Sequence, residues 1–340
     1  MKYLQEGISI DRGDIQKKGI DVILNGLREK ENYEESVKKV ASYFLKTNCT
    51  RSKKIGMEFL YINGRYKDLQ QLIIKNENST SASNREWARV YQIMSNARKG
   101  QTPSIQLMNE IQFFETKDPI VEILLEFSKV IVYSQARNYT FFGSSIDKID
   151  NLMPKCSNSF LRNCFKRRIS LLMFCYYWSR NELIIARKIA FELLSESIDA
   201  RTKVRLHSGL GLTYLFDTYE QGIYHLNKAL DIAKKHNIKH LLYRVENHII
   251  PFYSACFGKV DHIKTEAISE QAHIEIVKGN KQKAIDLLNQ IENKSPFQYY
   301  YLGLAKEDHK ILERSYNMFL IERNDYFYSR LPLYAMRKIQ

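Results

Sequence analysis

The fold is decided by the stretch Trp178–Ala233, which reads WSRNELIIARKIAFELLSESIDARTKVRLHSGLGLTYLFDTYEQGIYHLNKALDIA. In its first segment apolar residues recur at the spacing of one helix face: Leu183, Ala186, Ile189, Ala190 and Leu193. A second segment after Asp199 and a third after Asp217 repeat this spacing. Antiparallel helices stacked pair after pair are typical of an α-solenoid, so the sequence predicts this fold class.

Turn signals recur at regular intervals on both sides of this stretch. They precede helical apolar runs at Asn63-Gly64, Gly100-Gln101, Arg137-Asn138, Asn181, Tyr219-Glu220 and Gly279-Asn280. Through Tyr219 the intervals are about 36 to 43 residues, close to the roughly 34 of tetratricopeptide (TPR) repeats. The last interval is about one and a half units long, so we expect an irregular helix around Pro251. No segment shows sustained strand alternation, and the sequence predicts an all-α protein.

The net charge favours acidic partners without identifying one. The 340 residues include 52 Lys and Arg against 38 Asp and Glu, a formal charge of +14. Such a balance attracts nucleic acid or an acidic surface, but scattered basic residues are also typical of solvated helix faces. Two small basic clusters lie at 51–54 and 166–168.

The cysteines and the apolar runs indicate an intracellular protein. The five cysteines are odd in number and form no C-x-x-C pair, which is typical of reduced thiols. The N-terminal residues lack the apolar region of a signal peptide. The longest apolar run, Leu171–Trp178, is far shorter than the roughly 20 residues of a membrane helix, so no membrane association is expected.

No catalytic motif is present, and we expect no enzymatic activity and no cofactor. The P-loop, nucleophile-elbow, H-E-x-x-H and EF-hand patterns are all absent. His236 and His240 stand four apart, as zinc ligands on a helix would, but no third ligand is evident. Surface histidines at a helix end explain them better, so no metal site is predicted.

Recognition of a peptide is the chemistry that the residues favour. A groove along stacked helices needs polar side chains for the backbone of a bound peptide and charges for its ends. Arg201 offers a planar fork suited to a carboxylate. Polar residues within otherwise apolar helices are further candidates: Asn247, Glu270, Gln271, Gln298 and Asp325. Aromatic residues that could line pockets lie at 299–301 and 327–328.

Three stretches carry a resemblance to a known family: Arg168–Phe216, Lys283–Asn289 and Asn324–Leu333. Over residues 27–339 the chain resembles the arbitrium receptors (AimR) of temperate phages, regulators that bind a communication peptide and control lysis or lysogeny. The resemblance implies a TPR-like right-handed superhelix over 32–340, with a peptide of about six residues in its groove. It also implies operator DNA binding, homodimers through the C-terminal end, and the cytoplasm of a bacterial host.

Matching positions imply the residues of the ligand site. Arg201 falls on the family's groove arginine, Asp325 on an aspartate near the closing end of the groove, and Phe327 on an aromatic beside it. Three positions match more loosely: Asn247, Glu270 and Asn293. Cys175 and Ser179 stand where better-known members have asparagines that face the peptide, so we expect a different peptide.

Two departures from the family pattern bear on DNA binding and assembly. Family members begin with a helix-turn-helix domain whose recognition helix precedes the positions that match Tyr3–Gly7. Residues 1–31 are therefore expected to form a short, incomplete remnant of that domain. The chain ends at Gln340, where relatives continue with a short tail that helps dimerisation. The resemblance leaves DNA binding and homodimerisation of this chain open.

Two hypotheses of different classes follow. The first is a peptide-sensing transcription regulator of the arbitrium type. The second is a TPR scaffold without a helix-turn-helix reader, which acts by protein–protein interaction or as a decoy for the peptide.

Overall fold

The computed structural model describes residues 20, 33–100, 102–135, 139–196 and 199–339, and this part of the chain is helical without β-strands. The first eight α-helices are α1 Tyr33–Lys46, α2 Thr50–Ile62, α3 Tyr66–Glu77, α4 Ala82–Lys99, α5 Ser104–Gln112, α6 Pro119–Gln135, α7 Phe142–Leu152 and α8 Ser159–Ser179. The others are α9 Leu183–Ser195, α10 Ala200–Thr213, α11 Tyr219–Lys235, α12 Lys239–Arg244, α13 Ile250–Cys256, α14 Ile268–Val277, α15 Lys281–Asn289, α16 Pro296–Lys306, α17 His309–Asn317 and α18 Arg330–Ile339. Short irregular helical turns cover Met153–Lys155, Val245–Ile249 and Met318–Glu322.

The predicted fold class is confirmed, because the helices begin at the predicted turns. Helices α9, α10 and α11 follow Asn181, Asp199 and Asp217 as the apolar spacing required. Asp199 caps α10 by accepting a hydrogen bond from the Thr202 backbone N–H at 3.0 Å. Among the described residues, no helix is long and apolar enough to cross a membrane.

The chain divides into two compact units. The N-terminal unit comprises residues 1–136 and 143–169, and the C-terminal unit comprises residues 137–142 and 170–340. The boundary after residue 169 falls within α8. The single superhelix over 32–340 stays a prediction, and the expected helix-turn-helix remnant at 1–31 lies outside the described residues except for Ile20.

A buried ion pair lies in the core of the N-terminal unit. Glu58 of α2 is fully buried and accepts hydrogen bonds from Arg168 Nη2 at 2.7 Å and the Tyr91 hydroxyl at 2.5 Å. The Arg168 guanidinium lies 4.4 Å and 5.1 Å from the ring centroids of Tyr61 and Phe127. Removing either charge would leave the other buried without an ionic partner and would lower the free energy of unfolding by about 3–5 kcal/mol. The basic run at 166–168 suggested that Arg168 is exposed. The ion pair instead places its guanidinium in the core.

A glycine crossing joins α10 and α11 in the C-terminal unit. A Cβ atom on Gly222 would meet the Gly211 carbonyl oxygen at 2.8 Å and would clash with the Tyr253 hydroxyl. A Cβ atom on Gly211 would meet Leu226 Cδ2 at 2.5 Å. The two backbones approach this closely because neither residue has a side chain. Tyr253 completes the contact by donating its hydroxyl hydrogen to the Thr218 carbonyl at 2.8 Å.

The irregular helix expected near Pro251 is present and has a local cause. Between α12 and α13 the chain widens into one π-helical turn, Val245–Ile249, directly before Pro251. Proline has no N–H to offer the carbonyl four residues earlier, which belongs to Asn247. The Thr265 hydroxyl donates to that carbonyl instead, at 2.6 Å.

We predict that Gly222→Ala destabilises the protein although alanine is the better helix former. The helix propensity gain is at most about 1 kcal/mol, whereas overpacking a tight core contact costs about 1–3 kcal/mol. Urea denaturation should therefore show a lower free energy of unfolding. The adjacent exposed position provides a control, since Gln221→Ala is expected to change stability by only a few tenths of a kcal/mol. Equal stability of Gly222→Ala and the wild type would contradict the tight crossing.

Candidate functional site

Three of the predicted ligand-site residues lie together at the C-terminal end of α8. The Ser179 carbonyl accepts two backbone hydrogen bonds, from the N–H of Tyr326 at 2.7 Å and that of Phe327 at 3.1 Å. Asp325 is 6% exposed, and its Oδ1 accepts the Tyr328 N–H at 3.0 Å. A tight turn at 325–328 thus contacts the end of α8 and brings Ser179, Asp325 and Phe327 into one cluster.

An aromatic layer extends from this cluster through the C-terminal unit. Its members are Trp178, Phe252, His273, Phe297, Tyr301, Phe327 and Tyr328. Phe327 is fully buried, with its ring centroid 6.0 Å from that of Trp178 and 5.2 Å from that of Phe216. In this conformation Phe327 supports the cluster from the core and does not line an open surface.

The aromatic layer connects the α8 cluster to Glu270 of α14. Phe252 contacts Tyr328 on one side and His273 on the other, with ring centroids 6.1 Å and 6.0 Å away. His273 stacks on Tyr301 at 4.3 Å, and the Tyr301 hydroxyl donates to Glu270 Oε2 at 3.0 Å. Ring contacts therefore connect Glu270 to the cluster of Ser179 and Asp325 through the core of the C-terminal unit.

Glu270 is a buried carboxylate whose partners are all neutral. It is 7% exposed and accepts hydrogen bonds from the hydroxyls of Tyr301 and Ser269. Within the described ranges no Lys, Arg or His forms an ion pair with it. Burial raises the pKa of the Glu270 carboxyl to about 7, and the two hydroxyls offset this only in part. A bound cation would stabilise its charged form.

Two polar atoms of the layer itself are buried without a hydrogen-bond partner in the described structure: Trp178 Nε1 and His273 Nδ1. A buried unsatisfied group costs about 1–3 kcal/mol of stability. Burial also lowers the pKa of His273 to about 3, so its ring is neutral at pH 7. The indole offers a donor, and the imidazole offers a donor or an acceptor according to its tautomer.

Cys175 lies on α8 near the cluster, whereas no described contact joins Arg201 of α10 to it. Arg201 is in the first turn of α10, partly exposed, and makes no hydrogen bond or ion pair with any other described residue. Cys175 lies one turn before Ser179 on α8 and packs against the small core around Phe174 and Leu206. Burial raises the pKa of the Cys175 thiol to about 11, so it is a neutral, weakly polar side chain at pH 7.

The structure does not join Asn247 and Asn293 to this cluster by any direct contact that it describes. Both oxygens of Asn247 accept hydrogen bonds from the 265–266 loop. Oδ1 accepts the Glu266 N–H at 2.8 Å, and the backbone carbonyl accepts the Thr265 hydroxyl. Asn293 is exposed in the turn between α15 and α16. Gln298 is explained by helix capping, since its side chain accepts the Ser295 N–H at 2.6 Å.

Sequence reasoning missed Phe252 and His273, which connect Tyr328 to Tyr301 within the aromatic layer. Both lie at apolar helical positions, where an aromatic side chain is normally part of the core. The available signal was the spacing of Glu270 and His273, two titratable residues three apart on an otherwise apolar helix. That spacing places both on one helix face.

The consecutive packed helix pairs define a TPR-like helical-repeat protein. The model of the AimR transcriptional regulator-like family matches residues 36–338, and the chain belongs to this family. The AimR transcriptional regulator of Bacillus phage phi3T is 23% identical over 325 residues, covering 88% of this chain and 81% of the phage protein. An uncharacterized protein of Bacillus anthracis is 29% identical over 207 residues, covering 56% of this chain and 76% of that protein.

Solved structures of phAimR have the same fold. The structure of phAimR with a ligand gives a TM-score of 0.79 at 20% identity, covering 93% of this chain and 97% of that one. The structure of selenomethionine phAimR gives 0.65 at 20% identity, covering 92% and 84%. At this identity the likeness concerns the fold, and it agrees with the helical-repeat architecture read from the sequence.

We predict that Glu270→Gln stabilises the protein in a pH-dependent way. The Glu270 pKa of about 7 lies above the ordinary value of 4.5, so the folded state holds this proton more tightly than the unfolded state. The wild type therefore loses unfolding free energy as pH rises from about 4.5 to about 7. The glutamine variant does not have this loss. The difference in unfolding free energy between Glu270→Gln and the wild type should therefore be about 1–2 kcal/mol larger at pH 8 than at pH 5.5. Urea denaturation at the two pH values measures the difference.

Glu275 on the same helix provides the matched control. Hydrogen bonds from Asn280 and Lys283 lower the pKa of its carboxyl, the opposite direction from Glu270. Glu275→Gln should therefore give no stability gain at pH 8. An advantage of Glu270→Gln that is the same at both pH values would show that its carboxyl titrates normally.

Proposed function

We propose that this chain is a receptor for a short communication peptide and regulates transcription in response to it. Membership in the AimR transcriptional regulator-like family supports the regulatory role. The observation that carries the peptide role is Glu270, a buried carboxylate with neutral hydroxyl partners. Because an uncompensated buried charge is unfavourable, this site favours a ligand that brings a cation. We therefore propose a peptide with a basic side chain or a free N-terminal amine at that position.

In this proposal the remaining residues take complementary roles. The Arg201 guanidinium pairs with a carboxylate of the peptide, which suits a planar fork of donors. Trp178 Nε1 and His273 Nδ1 hydrogen-bond to the peptide backbone, which relieves their unsatisfied state. Asp325 and Ser179 hold the turn that closes the site.

Cys175, Asn293 and Phe327 tune which peptide fits. Cys175 presents a weakly polar group where an amide would make two strong hydrogen bonds, so it favours an apolar peptide side chain. Asn293 contributes from its exposed turn, and Asn247 contributes by fixing the 265–266 loop. Phe327 acts indirectly, by holding Trp178 in position.

Peptide binding regulates the protein by shifting its conformational equilibrium. A ligand that contacts α8, α10, α14 and the 325–328 turn at once binds more tightly to a conformation in which these elements are close together than to an open one. It therefore increases the closed population by its differential affinity for the two states. Control of lysis and lysogeny, operator binding, and homodimers through the C-terminal end in the cytoplasm of a bacterial host belong to this proposal, supported by the family.

We predict that a basic peptide of about six residues binds the full chain with one site, as isothermal titration calorimetry can measure. Arg201→Ala and Asp325→Ala should each weaken binding at least tenfold, which corresponds to about 1.4 kcal/mol. Arg337→Ala removes an exposed arginine of α18 and should leave affinity unchanged. Unaltered affinity in the first two variants would contradict this site.

A double-mutant cycle tests the role of Glu270 directly. Replacing the basic peptide residue by norleucine and replacing Glu270 by Gln should each weaken binding, and the two losses should not add. Strictly additive losses would mean that the cation binds elsewhere. If no basic peptide binds at all, the proposed receptor function itself is contradicted.

Sequence-specific DNA binding separates the regulator from the scaffold hypothesis. We predict that operator DNA is retarded in a gel-shift assay at moderate salt, and that the peptide changes this retardation. Sequence-blind binding that disappears as salt rises would instead reflect only the surface charge of +14. That outcome would favour the scaffold or decoy.

A further inference from the structure

The basic cluster at 51–54 belongs to a larger surface at one end of the first four helices, which we call the basic edge. It consists of residues 46–54, where α1 leads into α2, and residues 75–85, where α3 leads into α4. These segments read KTNCTRSKK and KNENSTSASNR. Helices α1 to α4 pack against one another. Two side-chain hydrogen bonds bring their ends together, from Lys75 Nζ to the Leu45 carbonyl at 2.6 Å and from Lys54 Nζ to Ser83 Oγ at 3.0 Å.

Two buried asparagines fix the relative position of these segments. Asn84 is 1% exposed, and its Nδ2 donates to the Thr50 carbonyl at 3.0 Å and to Asn76 Oδ1 at 2.6 Å. Asn76 is fully buried and donates in turn to the Leu72 carbonyl at 2.7 Å. Because a buried polar network with satisfied hydrogen bonds is rigid, it holds the two segments of the basic edge together.

The basic edge carries positive charge that no carboxylate compensates. Its six basic residues are Lys46, Arg51, Lys53, Lys54, Lys75 and Arg85, and all are exposed or partly exposed. Glu77 is the only acidic residue of the two segments. Within the described ranges none of the six cations forms an ion pair. In the C-terminal unit, by contrast, exposed lysines have carboxylate partners at 2.7–3.3 Å, namely Lys259, Lys281 and Lys283.

Helix stability does not account for these cations. The amino terminus of an α-helix carries a positive partial charge, so a cation in the first turn is unfavourable. The first four residues of α2 and of α4 nevertheless include Arg51, Lys53 and Arg85 and no acidic residue. Helices α10 and α17 show the usual arrangement, with Asp199 and Asp308 at their N-caps. An anion bound at the basic edge would offset both the helix ends and the repulsion among the cations.

The six cations divide into two groups by their hydrogen bonds. Lys54, Lys75 and Arg85 donate to neutral groups, which hold their side chains without reducing their charge. The side chains of Lys46, Arg51 and Lys53 make no hydrogen bond to another residue in the part of the chain that the structure describes. The first three therefore shape the edge, and the other three are available to a ligand.

We propose that the basic edge binds the phosphate backbone of duplex DNA. Arginine, lysine and hydroxyl side chains such as those of Thr50 and Thr80 are the usual partners of phosphate oxygens. Neither segment contains an aromatic residue, so unpaired bases would find no ring to stack on. Neither contains a large apolar residue that could insert into a membrane surface. A duplex needs neither, because its phosphates lie on the outside.

Such contacts position DNA but do not read its sequence. They would hold a duplex to the N-terminal unit independently of any recognition helix. The choice of DNA as the polyanion rests on the proposed regulatory function, whereas phosphate binding follows from the basic edge itself.

The test is fluorescence anisotropy of a labelled random-sequence duplex of about 20 base pairs, titrated with the full chain at several salt concentrations. We expect binding that weakens as salt rises. Lys46→Gln, Arg51→Gln and Lys53→Gln together should weaken binding roughly tenfold or more at about 0.1 M salt. They should also reduce the slope of log K against log salt by about 2.7, which is about 0.9 for each phosphate contact.

A matched control separates the basic edge from the overall charge of +14. Lys234→Gln, Lys235→Gln and Lys239→Gln together remove the same number of charges from exposed positions around the end of α11, and this variant should bind like the wild type. Exchanging Lys and Arg at 46, 51 and 53 keeps the charge and should preserve binding. Circular dichroism checks each fold. If the glutamine triple variant does not fold, Arg51→Gln and Lys53→Gln alone decide, since each should reduce the slope by about 0.9.

Four results would overturn the proposal. They are no duplex binding at low salt, equal weakening in the edge and control variants, tighter binding of a single strand than of the duplex, and binding of phosphatidylserine vesicles in preference to the duplex. The measurements use neither a peptide nor an operator. A chain that binds the duplex through the basic edge but binds no basic peptide would therefore contradict only the receptor function.

Discussion

The C-terminal unit depends on the contact between two helix backbones at Gly211 and Gly222. Leu226 and Tyr253 occupy the space that side chains at these positions would need. A contact between backbones cannot adjust by changing a rotamer, so it sets the distance between α10 and α11 and their register. Through that register it also positions the side chains along α10, including Arg201 in its first turn. The geometry of this helix pair therefore depends on residues that carry no functional group.

Residues of the candidate ligand site lower the stability of the folded protein. Glu270 lacks a counter-ion among the described residues, and Trp178 Nε1 and His273 Nδ1 are buried without partners. A core selected for stability alone would replace these groups with apolar side chains of similar size. Under the proposed function, a ligand satisfies them on binding. Binding affinity and intrinsic stability are then opposed at the same three residues.

The helices could be predicted because local signals specify them. Apolar spacing, the Asp199 cap and the turn at Asn181 all lie within a few residues of the elements that they determine. The site could be predicted only in part, because its contacts join distant segments. Nothing near Ser179 indicates that the 326–327 backbone will bond to it, and nothing near Arg168 indicates Glu58, which is 110 residues away. For Asn247 the sequence shows a polar side chain but not the 265–266 loop that its oxygens bind.

The hydrogen bonds from Tyr326 and Phe327 to Ser179 have a consequence for the synthesis of the protein. Translation proceeds from the N-terminus, and a nascent chain folds as its segments emerge. The end of α8 emerges first, and the turn that contacts it emerges only after α9 to α17. Until that turn has emerged, Trp178 lacks Phe327 and Tyr328 as neighbours. A chain whose synthesis stops before this turn therefore cannot assemble the cluster at the end of α8.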